Sequence, residues 1–150
     1  MVLRPNNIWK SSLFVTLQFL CLGLIGLTGP ILPDSFGLLV IEIIGLGLGV
    51  WAVWVMRIGN FNITPDPPRT SNLVRSGPYQ LVRHPMYLAL LLTTLPLVIN
   101  HFTPFRIIVW IVLLINLVLK LNYEEGLLSE KMSEYNAYQA ESYKIIPFLY

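Results

Sequence analysis

The sequence predicts an all-α integral membrane protein with about four transmembrane helices and one further helix at the membrane surface. Two observations carry this prediction. Hydrophobic residues make up 55% of the 150 residues and charged residues only 12%, whereas an ordinary soluble domain has about 25% charged residues. The hydrophobic residues are also gathered into four runs, and most charged residues lie between or beyond them.

The first two runs are each long enough to cross a bilayer. They predict helices over residues 9–28 and 36–56, and about 20 residues suffice for a hydrocarbon core of roughly 30 Å. A cleavable signal peptide is the alternative for the first run, but its apolar part exceeds the ~7 to 15 residues of such signals. Glu42 lies one to two turns inside the second helix, and we expect it to snorkel to the nearer membrane surface. We expect a helix-packing role for the glycines of both helices, namely Gly23, Gly26, Gly45, Gly47 and Gly49.

The third and fourth runs predict helices over residues 86–99 and 105–121, separated by a short polar segment. At ~1.5 Å per residue the third helix is only about 21 Å long, which is short for a straight crossing. Three arrangements remain open for it: a tilted helix, a locally thinned bilayer, or a helical hairpin with the fourth helix.

A polar segment after the fourth run predicts an amphipathic helix over about residues 123–142 on the cytosolic surface. Helical spacing forms one inner stripe from Glu124, Leu128, Met132, Tyr135 and Tyr138. A carboxylate at position 124 on this stripe could bind a cationic or hydroxyl-bearing ligand. The alternatives for it are a favourable interaction with the helix dipole and an ion pair with Lys120 or Arg83.

Basic residues gather on one predicted side of the membrane. They are Arg4, Lys10, Arg57, Arg69, Arg75, Arg83, Lys120, Lys131 and Lys144. The opposite loops carry Asp34, His101 and Arg106, so the positive-inside rule predicts that both termini lie in the cytosol. The proline-rich linker over residues 57–70 either covers a pocket at the membrane surface or is a plain connection.

A polar island over residues 75–87 leads into the third helix. Pro85 disfavours a helical conformation at His84 and is tolerated in the first helical turn, so His84 should lie at or just before the helix N-terminus. Unpaired N–H groups and the partial positive charge of the helix end, together with Arg83, would favour an anion there. The island therefore predicts an anion site facing the cytosol.

Several other kinds of site are not indicated. Cys21 is the only cysteine, so no disulfide can form within one chain. His84 and His101 are predicted on opposite membrane faces, and we expect no metal site. The net charge of +2 is small, and we expect no nucleic-acid partner. A phosphate-binding loop, a dinucleotide glycine motif and a serine-hydrolase motif are absent from the sequence.

Several motifs together resemble the isoprenylcysteine carboxyl methyltransferase and phospholipid methyltransferase group. They are GPY at 77–79, VRHPMY at 82–87, EE at 124–125, EYNAY at 134–138 and IP at 146–147, with NFNI at 60–63 similar to bacterial members. The resemblance covers about residues 45–150. Glu141 departs from it where a basic residue is common, and Met132-Ser133 stands where Phe-Gly is common.

The resemblance implies that residues 1–150 form a single membrane-embedded methyltransferase domain in the bacterial inner membrane. It would use S-adenosylmethionine to methylate a lipophilic acceptor, through a carboxylate, thiol or amine of a lipid or isoprenoid-like molecule, at the cytosolic face. The implied catalytic residues are Arg83, His84 and Glu124. The implied cofactor-binding residues are Tyr79, Val82, Arg83, His84, Tyr87, Leu88, Glu124 and Glu125. Substrate binding would involve Arg75, Tyr135 and Lys144.

Two alternatives differ in function class. One is a membrane NADPH-dependent reductase of the sterol-reductase type, which has a similar Arg-His-Pro segment but would need further helices and more basic residues. The other is a non-enzymatic membrane scaffold in which the polar motifs only cap helices. Binding of S-adenosylmethionine, and not of NADPH, discriminates among the three.

Overall fold

The computed structural model describes residues 8–56 and 73–147, and within these ranges the chain forms helices joined by short non-helical segments. The helices are α1 Ile8–Leu27, α2 Phe36–Met56, α3 Pro85–Asn100, α4 Pro104–Lys131 and α5 Tyr135–Glu141, with a short 3-10 turn over Gly77–Gln80. Helices α1, α2 and α4 are long and apolar enough to cross a membrane, whereas α3 is a shorter apolar helix. The all-α membrane class is confirmed, and the count of four spans stays a prediction. The linker over residues 57–70, with Arg57 and Arg69, and the N-terminal Arg4 lie outside the described residues.

The helices pack in two pairs. Helix α2 lies along α3, and α1 lies along α4. The core between α1 and α4 contains Ile25 with Leu113, Leu117 and Leu121, all of them fully buried. Helices α3 and α4 are consecutive and touch, but α3 makes its largest contact with α2. A separate hairpin of α3 and α4 would instead make its largest contact between those two helices.

Two of the five membrane glycines lie where helices meet. A Cβ at Gly45 would stand 2.7 Å from the backbone nitrogen of Thr93, so only glycine permits α2 and α3 to approach this closely. A Cβ at Gly49 would be in ordinary contact with Ala89, at 3.4 Å. The expectation of a packing role is wrong for the other three, because a Cβ added to them would meet no described atom within 4 Å: Gly23, Gly26 and Gly47.

Glu42 does not reach the membrane surface. Its exposed fraction is 4%, and it shares the buried stripe of α2 with Gly45 and Ala52. The expectation that it snorkels outward is wrong, because its helical position places it on the face of α2 that meets α3.

The prediction of a separate surface helix over residues 123–142 is also wrong. Helix α4 continues without a break to Lys131, and the chain turns at Met132, whose backbone is extended (φ −120°, ψ 111°), before α5 begins at Tyr135. The polar residues from 122 to 125 are compatible with a helix. Their polarity therefore marks the edge of the apolar segment and not the end of the helix. Glu124 and Glu125 lie on the same rigid helix as the apolar span.

Candidate functional site

The polar island is tied to the C-terminal segment by backbone hydrogen bonds. Val82 and Tyr143 form an isolated parallel bridge. The amide of Arg83 donates to the carbonyl of Tyr143 at 2.7 Å, and the amide of His84 donates to the carbonyl of Lys144 at 3.0 Å. His84 is the N-cap residue of α3, as the sequence predicts, with Pro85 at the first helical position. The residues before α3 are thus held beside the segment that follows α5.

Glu125 is the most heavily bonded carboxylate at this end of the helices. Its Oε1 accepts a hydrogen bond from Arg83 Nε at 2.6 Å and lies 3.2 Å from His84 Nε2. Its Oε2 accepts from Gln139 Nε2 at 3.4 Å and lies 3.9 Å from Lys144 Nζ. The side chains of Arg83 and Glu125 are each only 7% exposed, so this is a buried ion pair.

Arg83 also connects α5 to the island. Its Nη1 donates to the carbonyl oxygens of Gln139, at 3.0 Å, and of Ser142. One guanidinium therefore holds the carboxylate of α4 and the end of α5 together, because its planar fork presents donors in several directions.

Glu124 has different partners from its neighbour. The hydroxyl of Tyr87 donates to Glu124 Oε2 at 2.8 Å, and His84 Nδ1 lies 3.7 Å from the same oxygen. The imidazole of His84 stacks parallel to the ring of Tyr87, with 5.3 Å between the ring centres. His84 thus stands between the two adjacent carboxylates, and Glu124, at 24% side-chain exposure, is the more open of them.

Three tyrosines form a layer beside the acidic pair. Tyr138 donates a hydrogen bond to the carbonyl of Tyr79 and meets Tyr135 edge to face, with ring centres 5.9 Å apart. The guanidinium of Arg75 lies 5.5 Å from the ring centre of Tyr138. Tyr79 is 4% exposed, and its buried hydroxyl has no hydrogen-bond partner among the described residues.

Burial keeps these phenols protonated. It raises the pKa of Tyr79, and the negative charge of Glu124 raises it further. Burial likewise raises the pKa of Tyr135, with a further contribution from Glu125. Burial raises the pKa of Tyr138 to about 12, although the nearby Arg83 opposes the shift. All three hydroxyls are therefore donors at neutral pH.

The comparison with known families bears on this arrangement. A family model described as phospholipid methyltransferase matches residues 34–134, about two thirds of the chain. The chain belongs to the phospholipid methyltransferase family. No curated protein matches it. The resemblance drawn from the motifs is confirmed, and membership implies a membrane methyltransferase that acts on lipid-type substrates.

The family match runs from the start of α2 to the segment between α4 and α5. Within it, the structure brings together the start of α3 and the last turns of α4. The predicted cofactor residues found there are Tyr79, Val82, Arg83, His84, Tyr87, Leu88, Glu124 and Glu125. Leu88 packs against the apolar core, and its amide donates to the carbonyl of His84 at 3.2 Å.

The three residues predicted for substrate binding lie around this cluster. Arg75 donates to the carbonyl of Glu134 at 2.9 Å, on the outer side of the tyrosine layer. Tyr135 is 2% exposed at the start of α5. Lys144 donates to Asn122 Oδ1 at 3.0 Å. Their predicted role in binding a substrate stays a prediction.

Two buried polar residues at this end of the bundle were not predicted. Lys120 Nζ donates to Gln18 Oε1 at 2.9 Å and lies 5.1 Å from the ring centre of Tyr87. The sequence carries a signal for both. Gln18 is the main polar residue in the first apolar run, and Lys120 is one helical turn before Glu124.

Among the residues that the structure describes, no group of three or more His, Cys, Asp or Glu side chains is arranged to hold a metal ion. His84 and His101 cap opposite ends of α3.

Proposed function

We propose that this family member transfers a methyl group from S-adenosylmethionine to a lipophilic acceptor at the cytosolic face of the bacterial inner membrane, with both termini in the cytosol. The observation that carries the proposal is the buried network that runs from Tyr87 through Glu124, His84 and Glu125 to Arg83. Phospholipid methyltransferases generally use this cofactor. The proposal that the site and both termini face the cytosol rests on the distribution of basic residues along the chain.

The donor set suits a zwitterionic cofactor. Glu124 has no arginine in direct contact among the described residues and is partly open, so it is the carboxylate available to a cationic group. The partial positive charge at the N-terminal turn of α3 would favour the cofactor's carboxylate, and His84, whose two ring nitrogens face Glu124 and Glu125, would hold these two side chains in place. The buried Tyr79 hydroxyl would supply a further hydrogen bond, and the Tyr79 and Tyr87 rings, with Val82 and Leu88, would pack against the adenosine.

When bound, S-adenosylmethionine supplies a methyl group on a positively charged sulfur. The protein's own part is mainly to hold the acceptor in line with that group. An ionised carboxylate or thiolate needs no base. An amine acceptor must lose a proton, and His84 or Glu124 would accept it. Lys144, Arg75 and Tyr135 are proposed to orient the acceptor.

Arg83 has a positioning role in this proposal. Its Nε holds Glu125, and its Nη1 holds the carbonyls that end α5. Its positive charge still adds to the potential at the start of α3, but its direct contacts organise the site.

Calorimetry in detergent tests the cofactor assignment. S-adenosylmethionine and its demethylated product are expected to bind, and NADPH is not. His84→Ala and Glu124→Ala should each weaken binding at least tenfold, about 1.4 kcal/mol, because each removes a group from the proposed pocket. Glu42→Gln, which also alters a buried polar side chain but near the opposite end of α2, should leave binding unchanged. Well-folded protein that does not bind S-adenosylmethionine would contradict the proposal, and NADPH binding would favour the reductase instead.

The acceptor can be sought directly. Protein incubated with a cell's lipid extract and S-adenosylmethionine carrying a labelled methyl group should place the label in a lipid or lipophilic small molecule. Glu124→Ala should abolish that incorporation. Label that appears only in water-soluble products would exclude a lipophilic acceptor.

A further inference from the structure

Arg106 is buried at the end of the helices that lies opposite the proposed methyl-transfer site. It belongs to the first turn of α4 and lies near His101, which caps the end of α3 opposite His84. Its exposed fraction is 1%. An arginine so close to a helix end is long enough to place its charge in water, as such side chains commonly do. The burial of this guanidinium therefore needs a separate explanation.

Only one of the three guanidinium nitrogens has a partner among the described residues. Arg106 Nη2 donates to the carbonyl of Leu97, in the last turn of α3, at 2.8 Å. Nε and Nη1 are buried and have no hydrogen-bond partner in the described part of the chain. The carboxylate at this end, Asp34, is paired with Asn100 instead. Buried donors in native proteins nearly always have an acceptor, and a buried charge without a counter-charge is costly.

The start of α4 adds a second reason to expect an anion here. The amides of a first helical turn lack acceptors within the helix, and Thr103 Oγ1 accepts from that of Arg106 at 3.3 Å. The partial positive charge of this helix end opposes a cationic side chain and attracts an anion. The unpaired guanidinium nitrogens and the helix end therefore favour the same ligand. A phosphate group fits both, because its several oxygens can accept from more than one donor.

A short segment between α1 and α2, residues 29–33, covers the guanidinium. A Cβ added at Gly29 would overlap Arg106 Nη1 and stand 3.1 Å from His101 Cδ2, so only glycine lets the backbone lie this close to both side chains. The covering segment makes no hydrogen bond with the described residues between its two ends. A ligand can therefore reach Arg106 by displacing residues 29–33, and that displacement breaks none of the described hydrogen bonds.

The surface around Arg106 is apolar. Phe102 and Phe105, which flank it in the sequence, are 71% and 50% exposed, and Ile31 and Leu32 of the covering segment are exposed as well. In a protein that spans a membrane, exposed apolar side chains at the end of a helix contact lipid. The acyl chains of a phospholipid bound at Arg106 would pack on these side chains, whereas a free phosphate would gain nothing from them. The surroundings therefore favour a lipid as the source of the phosphate.

We propose that Arg106 binds the phosphate group of an anionic phospholipid in the membrane leaflet opposite the proposed methyl-transfer site. The lipid displaces the covering segment, supplies acceptors to Nε and Nη1, and neutralises the guanidinium between the end of α3 and the start of α4. It is not the methyl acceptor, because His84 and Glu124 lie at the other end of α3. The inference does not depend on methyl transfer and holds for any function of the site at that other end.

Three probes test the assignment on the full chain in a nonionic detergent: phosphatidylglycerol, a diacylglycerol with the same acyl chains, and inorganic phosphate. Calorimetry gives the dissociation constants. Wild-type protein should bind phosphatidylglycerol at least tenfold more tightly than either other probe. Arg106→Gln should remove this preference, because it removes the charge. Arg106→Lys keeps the charge but replaces the planar guanidinium with a compact ammonium, so it should weaken phosphatidylglycerol binding at least threefold, and it serves if Arg106→Gln does not fold.

Two matched controls separate lipid binding from a purely structural role of Arg106. Thr103→Ala removes the side-chain cap of the same helix end but keeps the guanidinium, and Lys131→Met removes one positive charge at the exposed far end of α4. Both should retain the wild-type preference. The inference is overturned if the Arg106 variants keep that preference, if either control loses it equally, or if the diacylglycerol binds as tightly as phosphatidylglycerol. Inorganic phosphate that binds as tightly as the lipid would overturn the lipid source and assign the site to free phosphate.

Discussion

Replacing Glu125 with glutamine should destabilise the protein strongly. Glutamine has nearly the same shape and keeps one acceptor oxygen, but it removes the charge that faces Arg83 Nε at 2.6 Å and His84 Nε2 at 3.2 Å. Removing one partner of a buried ion pair costs about 3 to 5 kcal/mol. Arg83 keeps its two carbonyl acceptors, so we expect the lower end, about 3 kcal/mol.

The adjacent Glu124→Gln is the matched control. Glu124 accepts its hydrogen bond from the neutral hydroxyl of Tyr87 and is 24% exposed, and a glutamine oxygen can accept the same bond. Its expected cost in stability is about 1 kcal/mol or less. Thermal unfolding in detergent should show a melting temperature lower by about 6 to 12 °C for Glu125→Gln, at roughly 2 to 4 °C per kcal/mol, and little change for Glu124→Gln. Equal losses in the two variants, or a larger loss for Glu124→Gln, would refute this division of roles.

Two further predictions concern packing and pH. Gly45→Ala should lower the free energy of unfolding by about 1 to 3 kcal/mol, since the added Cβ would stand 2.7 Å from Thr93. Gly47→Ala, whose Cβ would have no described neighbour within 4 Å, should not destabilise the protein. Equal melting temperatures for the two variants would contradict the close approach of α2 and α3. The folded-state pKa of Tyr138 is raised from 10.0 to about 12, so its contribution to stability is complete below pH 10 and is lost as the pH rises through 12. That loss is about 3 kcal/mol, and thermal unfolding of Tyr138→Phe should show a smaller fall across this window than wild type. The same fall in both proteins would show that Tyr138 is not the group responsible.

The boundaries of the apolar helices could be predicted because hydrophobic runs and prolines determine them. Helix α2 spans residues 36–56 as predicted, and α3 begins at Pro85, one residue before its predicted start. The end of α4 could not be predicted in this way. The residues after Leu121 are polar but compatible with a helix, so the change in polarity there does not mark a change in structure. The break comes at Met132, where no proline or glycine marks it.

The site could be predicted only in part. The motifs identify His84 and the two glutamates, but which glutamate meets Arg83 depends on how the segment before α3 crosses α4. That crossing is set by backbone bonds from residues 83 and 84 to the C-terminal segment, and no local pattern encodes them. The contact between Gln18 and Lys120 joins residues 102 positions apart, so it requires knowledge of the α1–α4 pairing.

The continuity of α4 has a consequence for the proposed chemistry. A separate surface helix would have let Glu124 move independently of the membrane span. On one unbroken helix, Lys120 and Glu124 keep a spacing of one turn, about 5.4 to 6 Å along the axis. In the proposed reaction, a cofactor bound by Glu124 would then keep a fixed position relative to the membrane span from which Glu124 extends. Positioning of this kind supplies most of the rate enhancement when an ionised acceptor attacks a methyl group.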